Sequence, residues 1–306
     1  MRDLRISVII ASWNAARFLD PCLDTIARQR VRGGFETIVI DNASTDGTAE
    51  LLRRRGDDVR VIANDRNAGF SAANNAGAAI ARGRVLLFLN SDTELLGDDV
   101  LEALARAAEE EGVGIVGPML VNPDGSVQSS CAGHPSVTRA LAVASGVHRV
   151  LPDRARARIA PEGWSHDRSI DTGWVMGAAL AIRADLFEDV GGFWAETTMY
   201  AEDEELAFKI QRRGLRVRYD AGIRVLHHGN GSNALRWSDV ERAERIADAE
   251  RAFLCRYYGR PRALVIRAVT GAGYAARAVA HGLLGRRERA AAFRVMARTY
   301  ARAQRA

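Results

Sequence analysis

Four polar clusters in this 306-residue chain combine residue types with a spacing that could hold a charged, oxygen-rich ligand. The first is the run from Asp41 to Gly47 (DNASTDG), which follows the apolar Ile38-Val39-Ile40. A carboxylate at the end of such a strand can accept the N3–H of uracil or thymine. The same residues would also serve as a strand-to-helix turn in which Asp and Ser cap. The second is Asn90-Ser91-Asp92 after Val-Leu-Leu-Phe-Leu. A carboxylate there is a hard-oxygen ligand for Mg²⁺ or Mn²⁺ and could help to offset charge on a departing diphosphate, although a solvated loop uses the same residues.

The third cluster is Tyr200-Ala201-Glu202-Asp203-Glu204-Glu205. Acidic residues at a helix start suit its macrodipole, which accounts for Glu204 and Glu205. It does not account for Trp174, Gly177 and the Gly191-Gly192-Phe193 turn upstream. An indole offers a stacking face for a sugar ring, and glycines let the backbone approach a ligand. The fourth is His227-His228-Gly229-Asn230-Gly231-Ser232. A neutral imidazole can complete a metal shell there, with plain hydrogen bonding as the alternative. His134, His148, His166 and His281 have no such companions.

These clusters need a scaffold that brings them to one edge. Strand and helix signals alternate through the first third: strands at 5–11, 36–40, 59–63 and 85–89, with helices between them. That alternation predicts an α/β fold with a mostly parallel central sheet and flanking helices, whose ligands sit beyond the carboxyl ends of the strands. Asn14 reads as the N-cap of the first helix. A helix over 101–108, a strand over 113–121, an irregular stretch over 135–168, a helix over 202–213 and two strands at 216–219 and 223–227 follow. From Leu235 onward the pattern is helical. The expected division is 1–235, with a nucleotide half to about 92 and an acceptor half beyond it, then a helical tail over 236–306.

The net charge of +5 is unevenly placed. Residues 256–306 hold twelve arginines and one acid, Glu288, for +11, which leaves −6 on the rest. Cys22, Cys131 and Cys255 are too few and too scattered for a disulfide framework or a zinc site, and they read as reduced thiols. The apolar run Ile6–Ala11 passes straight into Ser12-Trp13-Asn14 without a cleavage site, so the expected compartment is the cytosol.

In register, SVIIASWN, IVIDNASTDGT, NAGFSAANNAG, FLNSDTEL, DTGWVMGAALAIR, LFEDVGGF, MYAEDEELAFKIQRRG and VLHHGNGS resemble the family 2 glycosyltransferases with the GT-A fold, most closely their bacterial rhamnosyltransferase-like branch. The resemblance spans roughly residues 5–235. It implies that Ser12, Asn14 and Asp41 hold the nucleoside with Asn67 nearby. It makes Asp92 a metal ligand, Asn90 a nucleotide-sugar contact in place of the family's first Asp, and Asp203 the catalytic base. Glu202, Trp174 and Gly177 then face the acceptor. His227 fits the metal-ligand histidine better than His228, through the spacing to Ser232. Glu205 stands where the family usually has a second Asp.

The function so implied is inverting transfer of a hexosyl group, rhamnosyl first, from a UDP- or dTDP-sugar to a glycan or lipid-linked acceptor in the cell envelope. A non-catalytic nucleotide-sugar or nucleic-acid binding protein and a same-fold nucleotidyltransferase are the rivals, and no nucleic-acid partner is expected. On a helical wheel Arg287, Arg294, Arg298, Arg302 and Arg305 form one basic stripe, suited to the surface of an anionic membrane at the inner face of the cell. Residues 263–284 have the length of a membrane span, but Arg267 and Arg277 argue against one.

Overall fold

The computed structural model describes residues 3–195, 200–229 and 238–302. Met199, Asn230, Gly231, Ser232 and Arg305 therefore lie outside the described residues. The chain opens with β1 (Leu4–Ser12), α1 (Ala16–Ala27), β2 (Phe35–Asp41), α2 (Thr48–Arg55), β3 (Arg60–Ala63), α3 (Phe70–Ile80) and β4 (Gly83–Leu89). Next come β5 (Thr93–Leu95), α4 (Val100–Ala108), β6 (Val113–Val121), β7 (Val127–Gln128), β8 (Cys131–Ala132), α5 (Val137–Ser145) and α6 (Asp153–Ile159). They are followed by β9 (Ile170–Thr172), β10 (Trp174–Val175), β11 (Ala179–Arg183), α7 (Ala184–Asp189), α8 (Glu202–Gln211) and β12 (Arg216–His227). The chain closes with α9 (Asp239–Tyr257), α10 (Arg260–Leu283) and α11 (Arg287–Ala301).

The main sheet runs β3-β2-β1-β4-β11-β6-β12-β5, with β7 on β6 and β9 on β12. It is parallel from β3 to β4, as the alternating pattern requires, and mixed beyond, because β11 runs antiparallel to both β4 and β6. Strands β1, β2 and β4 are buried along most of their length, which is why they read as continuous apolar runs. Helix α3 lies so close to them that a Cβ on Gly77 would meet Ile9 at 2.5 Å and Ile40 at 2.8 Å. The register sets Ser12 opposite Asp41, so the first two polar clusters begin side by side.

Three local expectations are corrected. Asn14 is not the N-cap of α1. That position is Ala15, and Asn14 adopts a left-handed φ of 49°. The two strands expected at 216–219 and 223–227 are one strand, β12, with a register shift between Asp220 and Arg224. The stretch 135–168 is not irregular: Ser136 caps α5 by accepting from the Arg139 N–H, Gly146 closes it in the left-handed conformation, and α6 follows.

Contacts group the chain into two units: residues 1–131, 166–198 and 202–235, and residues 132–165, 199–201 and 236–306. The first contains the sheet. The second is helical, so α5 and α6 group with the C-terminal helices. Its core gathers Ala247, Leu254, Ala263, Ile266 and Tyr300. Helix α9 starts with a capping box between Ser238 and Glu241. Among the described residues, α10 alone is long and apolar enough to cross a membrane by length and composition.

Candidate active site

At the ends of β1 and β2, the loops are fastened to each other. Asn14 accepts from the Thr45 N–H at 2.7 Å, and its own N–H donates to Ser44 Oγ at 2.9 Å. Asp46 accepts from the N–H groups of Ala16 and Thr48 and from the Thr48 hydroxyl. Burial raises the Asp46 carboxyl, but these donors outweigh it and hold the group below the usual range. Asp41 is buried, with the Ser44 N–H at 3.2 Å from Oδ1. Beside it Ser12 Oγ is buried without a hydrogen-bond partner among the described residues. A buried hydroxyl in that state costs free energy until something meets it. Asn67 accepts from the Gly69 N–H at 2.9 Å and so shapes the turn into α3.

The second and fourth clusters meet because β5 pairs with β12, setting Thr93 against His227, and because the His228 N–H donates to the Asp92 carbonyl. His227 Nε2 lies 3.4 Å from Asp92 Oδ1 and 3.4 Å from Asn90 Nδ2. His227 Nδ1 is 2.7 Å from Gln128 Oε1. An amide oxygen only accepts, so Nδ1 carries the proton of this hydrogen bond. In the neutral ring Nε2 keeps a lone pair that faces the Asp92 carboxylate oxygen, an arrangement that a cation between them would favour. The donor set of one carboxylate oxygen and one imidazole nitrogen fits a divalent ion. Among the described residues no three His, Cys, Asp or Glu side chains gather as a metal site. Such sparse protein ligation is usual where the ion is also held by substrate phosphates. His228 is turned elsewhere, 2.9 Å from Glu94 and against the ring of Phe18.

Asp203 stands at the start of α8. Its Oδ2 accepts from the Gly177 N–H at 3.0 Å and its Oδ1 from the Glu204 N–H at 2.8 Å. Burial pushes its carboxyl above the ordinary range, more than those two donors pull it down. Gly177 thus acts through its amide on Asp203, and a Cβ there would meet Phe70 and Asp203 only at 3.4 and 3.6 Å. The next residue, Ala178, accepts from the Asn90 N–H, so the segment 177–178 links Asp203 to the Asp92 and His227 cluster. Glu202 is buried in the same turn, and Trp174 is half-buried on β10.

The structure adds residues, and a role for Glu205, that the motifs do not reveal. Gln128, on the two-residue strand β7, fixes the tautomer of His227. Glu205 is buried and ion-paired at 2.9 Å to Lys209, which donates to the Gly192 carbonyl at 2.8 Å. Asn75 clamps the same turn through both Phe193 backbone groups. The buried Glu205 therefore anchors the Gly191-Gly192-Phe193 turn. No sequence signal marks Gln128; the i,i+4 spacing of Glu205 and Lys209 is a signal for their pair.

Comparison with known proteins identifies the family and the fold. The glycosyl transferase family 2 model matches residues 7–131, and the model of glycosyl transferase family group 2 matches 85–245. N-acetylglucosaminyl-diphospho-decaprenol L-rhamnosyltransferase of Mycobacterium tuberculosis is 30% identical over 240 residues, covering 73% of this chain and 76% of that one. O-antigen biosynthesis protein RfbC of Myxococcus xanthus is 27% identical over 258 residues, 80% of this chain. The chain spans only 25% and 18% of the lengths of two of the curated relatives it matches. Mannosyltransferase PcManGT from Pyrobaculum calidifontis, solved in complex with GDP-Man and Mn²⁺, superimposes with a TM-score of 0.62 at 19% identity over 97% of this chain and 87% of that chain. The fold is therefore GT-A, and the chain belongs to glycosyltransferase family 2.

Proposed function

We propose that the chain transfers a hexosyl group, rhamnosyl by preference, from a UDP- or dTDP-sugar to a hydroxyl of a glycan or lipid-linked saccharide, with inversion at the anomeric carbon, in cell-envelope polysaccharide synthesis. The observation that carries the reading is the held carboxylate of Asp203, joined through Gly177 and Ala178 to the cluster of Asn90, Asp92 and His227. In this reading Asp41 and Ser12 hold the nucleoside base, and Asn14 keeps the two loops at the spacing the base requires. Asn67 and Asn90 contact the rest of the nucleotide sugar. Asp92 and His227 would hold Mg²⁺ or Mn²⁺, whose chemistry there is to stabilise the charge of the departing diphosphate.

Asp203 takes the proton of the acceptor hydroxyl while that oxygen bonds to the anomeric carbon from the face opposite the diphosphate. The bond to the diphosphate breaks in the same displacement, so the configuration inverts. Trp174 offers the acceptor sugar a stacking face, and Glu202 lies beside the base. The related rhamnosyltransferase is named for a decaprenol-linked acceptor. An acceptor of that kind would place this enzyme at the inner face of the cell membrane, where the basic tail would meet anionic lipid.

A panel of UDP-, dTDP- and GDP-sugars, assayed for hydrolysis and thermal stabilisation with Mn²⁺ or Mg²⁺, tests the reading. Stabilisation by UDP- or dTDP-sugars is expected, with turnover lost on chelation and restored by either ion. Exclusive use of a GDP-sugar would overturn the role of Asp41. Full activity after exhaustive chelation would overturn that of Asp92 and His227.

A further inference from the structure

Helix α10 has its polarity turned inside out. Leu264, Val265, Val279 and Leu283 are 59%, 46%, 65% and 85% exposed, and between them the exposed positions at the same helical phase are Ala268, Ala272 and Ala275. At 100° per residue these seven side chains fall within an arc of about 100°. The stripe spans 20 residues, roughly 28 Å of helix. The charged residues of the helix interior point the other way. Arg267 is only 5% exposed and donates to the Tyr300 carbonyl at 3.2 and 3.0 Å. Arg277 donates to the Val143 carbonyl on α5. A helix facing water carries its charges outward, so this face is matched to a different neighbour.

Its ends say which. Exposed Arg260 and Arg262 precede the stripe, exposed Arg286 and Arg287 follow it, and no acidic residue lies from 260 to 287. An apolar strip bracketed by cations complements the headgroup and acyl boundary of an anionic bilayer. Because Arg267 and Arg277 are fastened to neighbouring helices of the same unit, lipid cannot surround α10, and the helix must lie along the surface rather than cross it.

We infer that the exposed face of α10, from Leu264 to Leu283, is an in-plane docking surface for anionic membrane. This deepens the membrane reading above by moving the contact from the basic stripe of α11 to an apolar face.

The test is flotation of the full chain with vesicles of phosphatidylcholine, with and without phosphatidylglycerol. Wild type should float with the anionic vesicles and be released by carbonate. The double variant Val279→Glu, Leu283→Glu should float at least about tenfold less, since it places charge in the acyl boundary. Val279→Phe should float more, and Arg294→Ser, Arg298→Ser on α11 should lose less than the double variant. Flotation of the double variant equal to wild type, or no flotation of wild type, overturns the inference. So does a wild-type dimer that ignores vesicles and becomes monomeric in the double variant, because the face would then pair two copies. Metal-dependent donor hydrolysis, measured without vesicles, should be the same in all these variants. Its absence in wild type would contradict the transferase reading without touching the docking result.

Discussion

The two units each hold a charged side chain through backbone groups, and the difference between them separates the proposed base from a brace. In the sheet unit, Asp203 takes one N–H on each oxygen and remains partly exposed, so lone pairs are left for a proton from outside. In the helical unit, Arg267 is buried and directs its guanidinium at the carbonyls of Tyr300 and Arg302. The carboxylate is oriented and still available. The guanidinium serves the packing of its own helices.

Asp203→Asn should break this contrast most visibly. An amide cannot take the acceptor proton, so transfer should fall by about 10²- to 10⁴-fold while donor affinity hardly changes. If Asp203 were a brace like Arg267, the same change would lower stability and spare transfer. The pH profile sharpens the point. Burial raises the Asp203 carboxyl, so the folded protein holds this proton to a higher pH than an ordinary carboxylate would. Transfer should therefore rise with pH along a limb lying above the usual carboxylate range, and the limb should vanish from the residual activity of Asp203→Asn. A limb at the ordinary carboxylate position would argue against the buried base.

Next in size is Gln128→Leu, which removes the acceptor that keeps the Nδ1 proton of His227 in place. Loss of such a partner typically costs about 10- to 100-fold in metal affinity, readable as a shift in the Mn²⁺ activation curve. His228→Ala should shift that curve less than His227→Ala, and the opposite order would reverse the assignment of the two histidines. Arg267→Leu leaves the Tyr300 carbonyl without its charged donor and should cost about 1.5–3 kcal/mol in urea unfolding, with donor hydrolysis intact below the transition. An unchanged unfolding midpoint would deny the brace. The smallest effect is expected from Gly177→Ala, because the amide that holds Asp203 is retained and the added methyl meets its neighbours at ordinary distances. A severe transfer defect there would mean that the acceptor needs the space itself.

What could be read from the sequence was whatever is local along the chain. The parallel strands at 4–12, 35–41, 60–63 and 83–89 are apolar runs with polar residues at their carboxyl ends, so their order and their clusters were visible. The left-handed Asn14 was not, because its side chain answers Thr45, 31 residues away, rather than the helix that follows it. Gln128 was hidden for the same reason: a two-residue strand carries no periodicity, and its partner His227 is 99 residues distant. Helices α5 and α6 are only 9 and 7 residues long, too short to show a clear helical periodicity, although Ser136 and Gly146 mark the ends of the first. The basic tail was legible as charge. Which of its arginines turn inward, and so which face of α10 remains apolar, depends on packing that no single helix encodes.

The central claim is a single displacement driven by one carboxylate, and the anomeric configuration of the first product tests it most directly. With the preferred donor and a soluble acceptor analogue, proton NMR during early turnover should show the new glycosidic bond formed with the configuration opposite to that of the donor. A product that keeps the donor's configuration would contradict the role given to Asp203 and require a different reaction course.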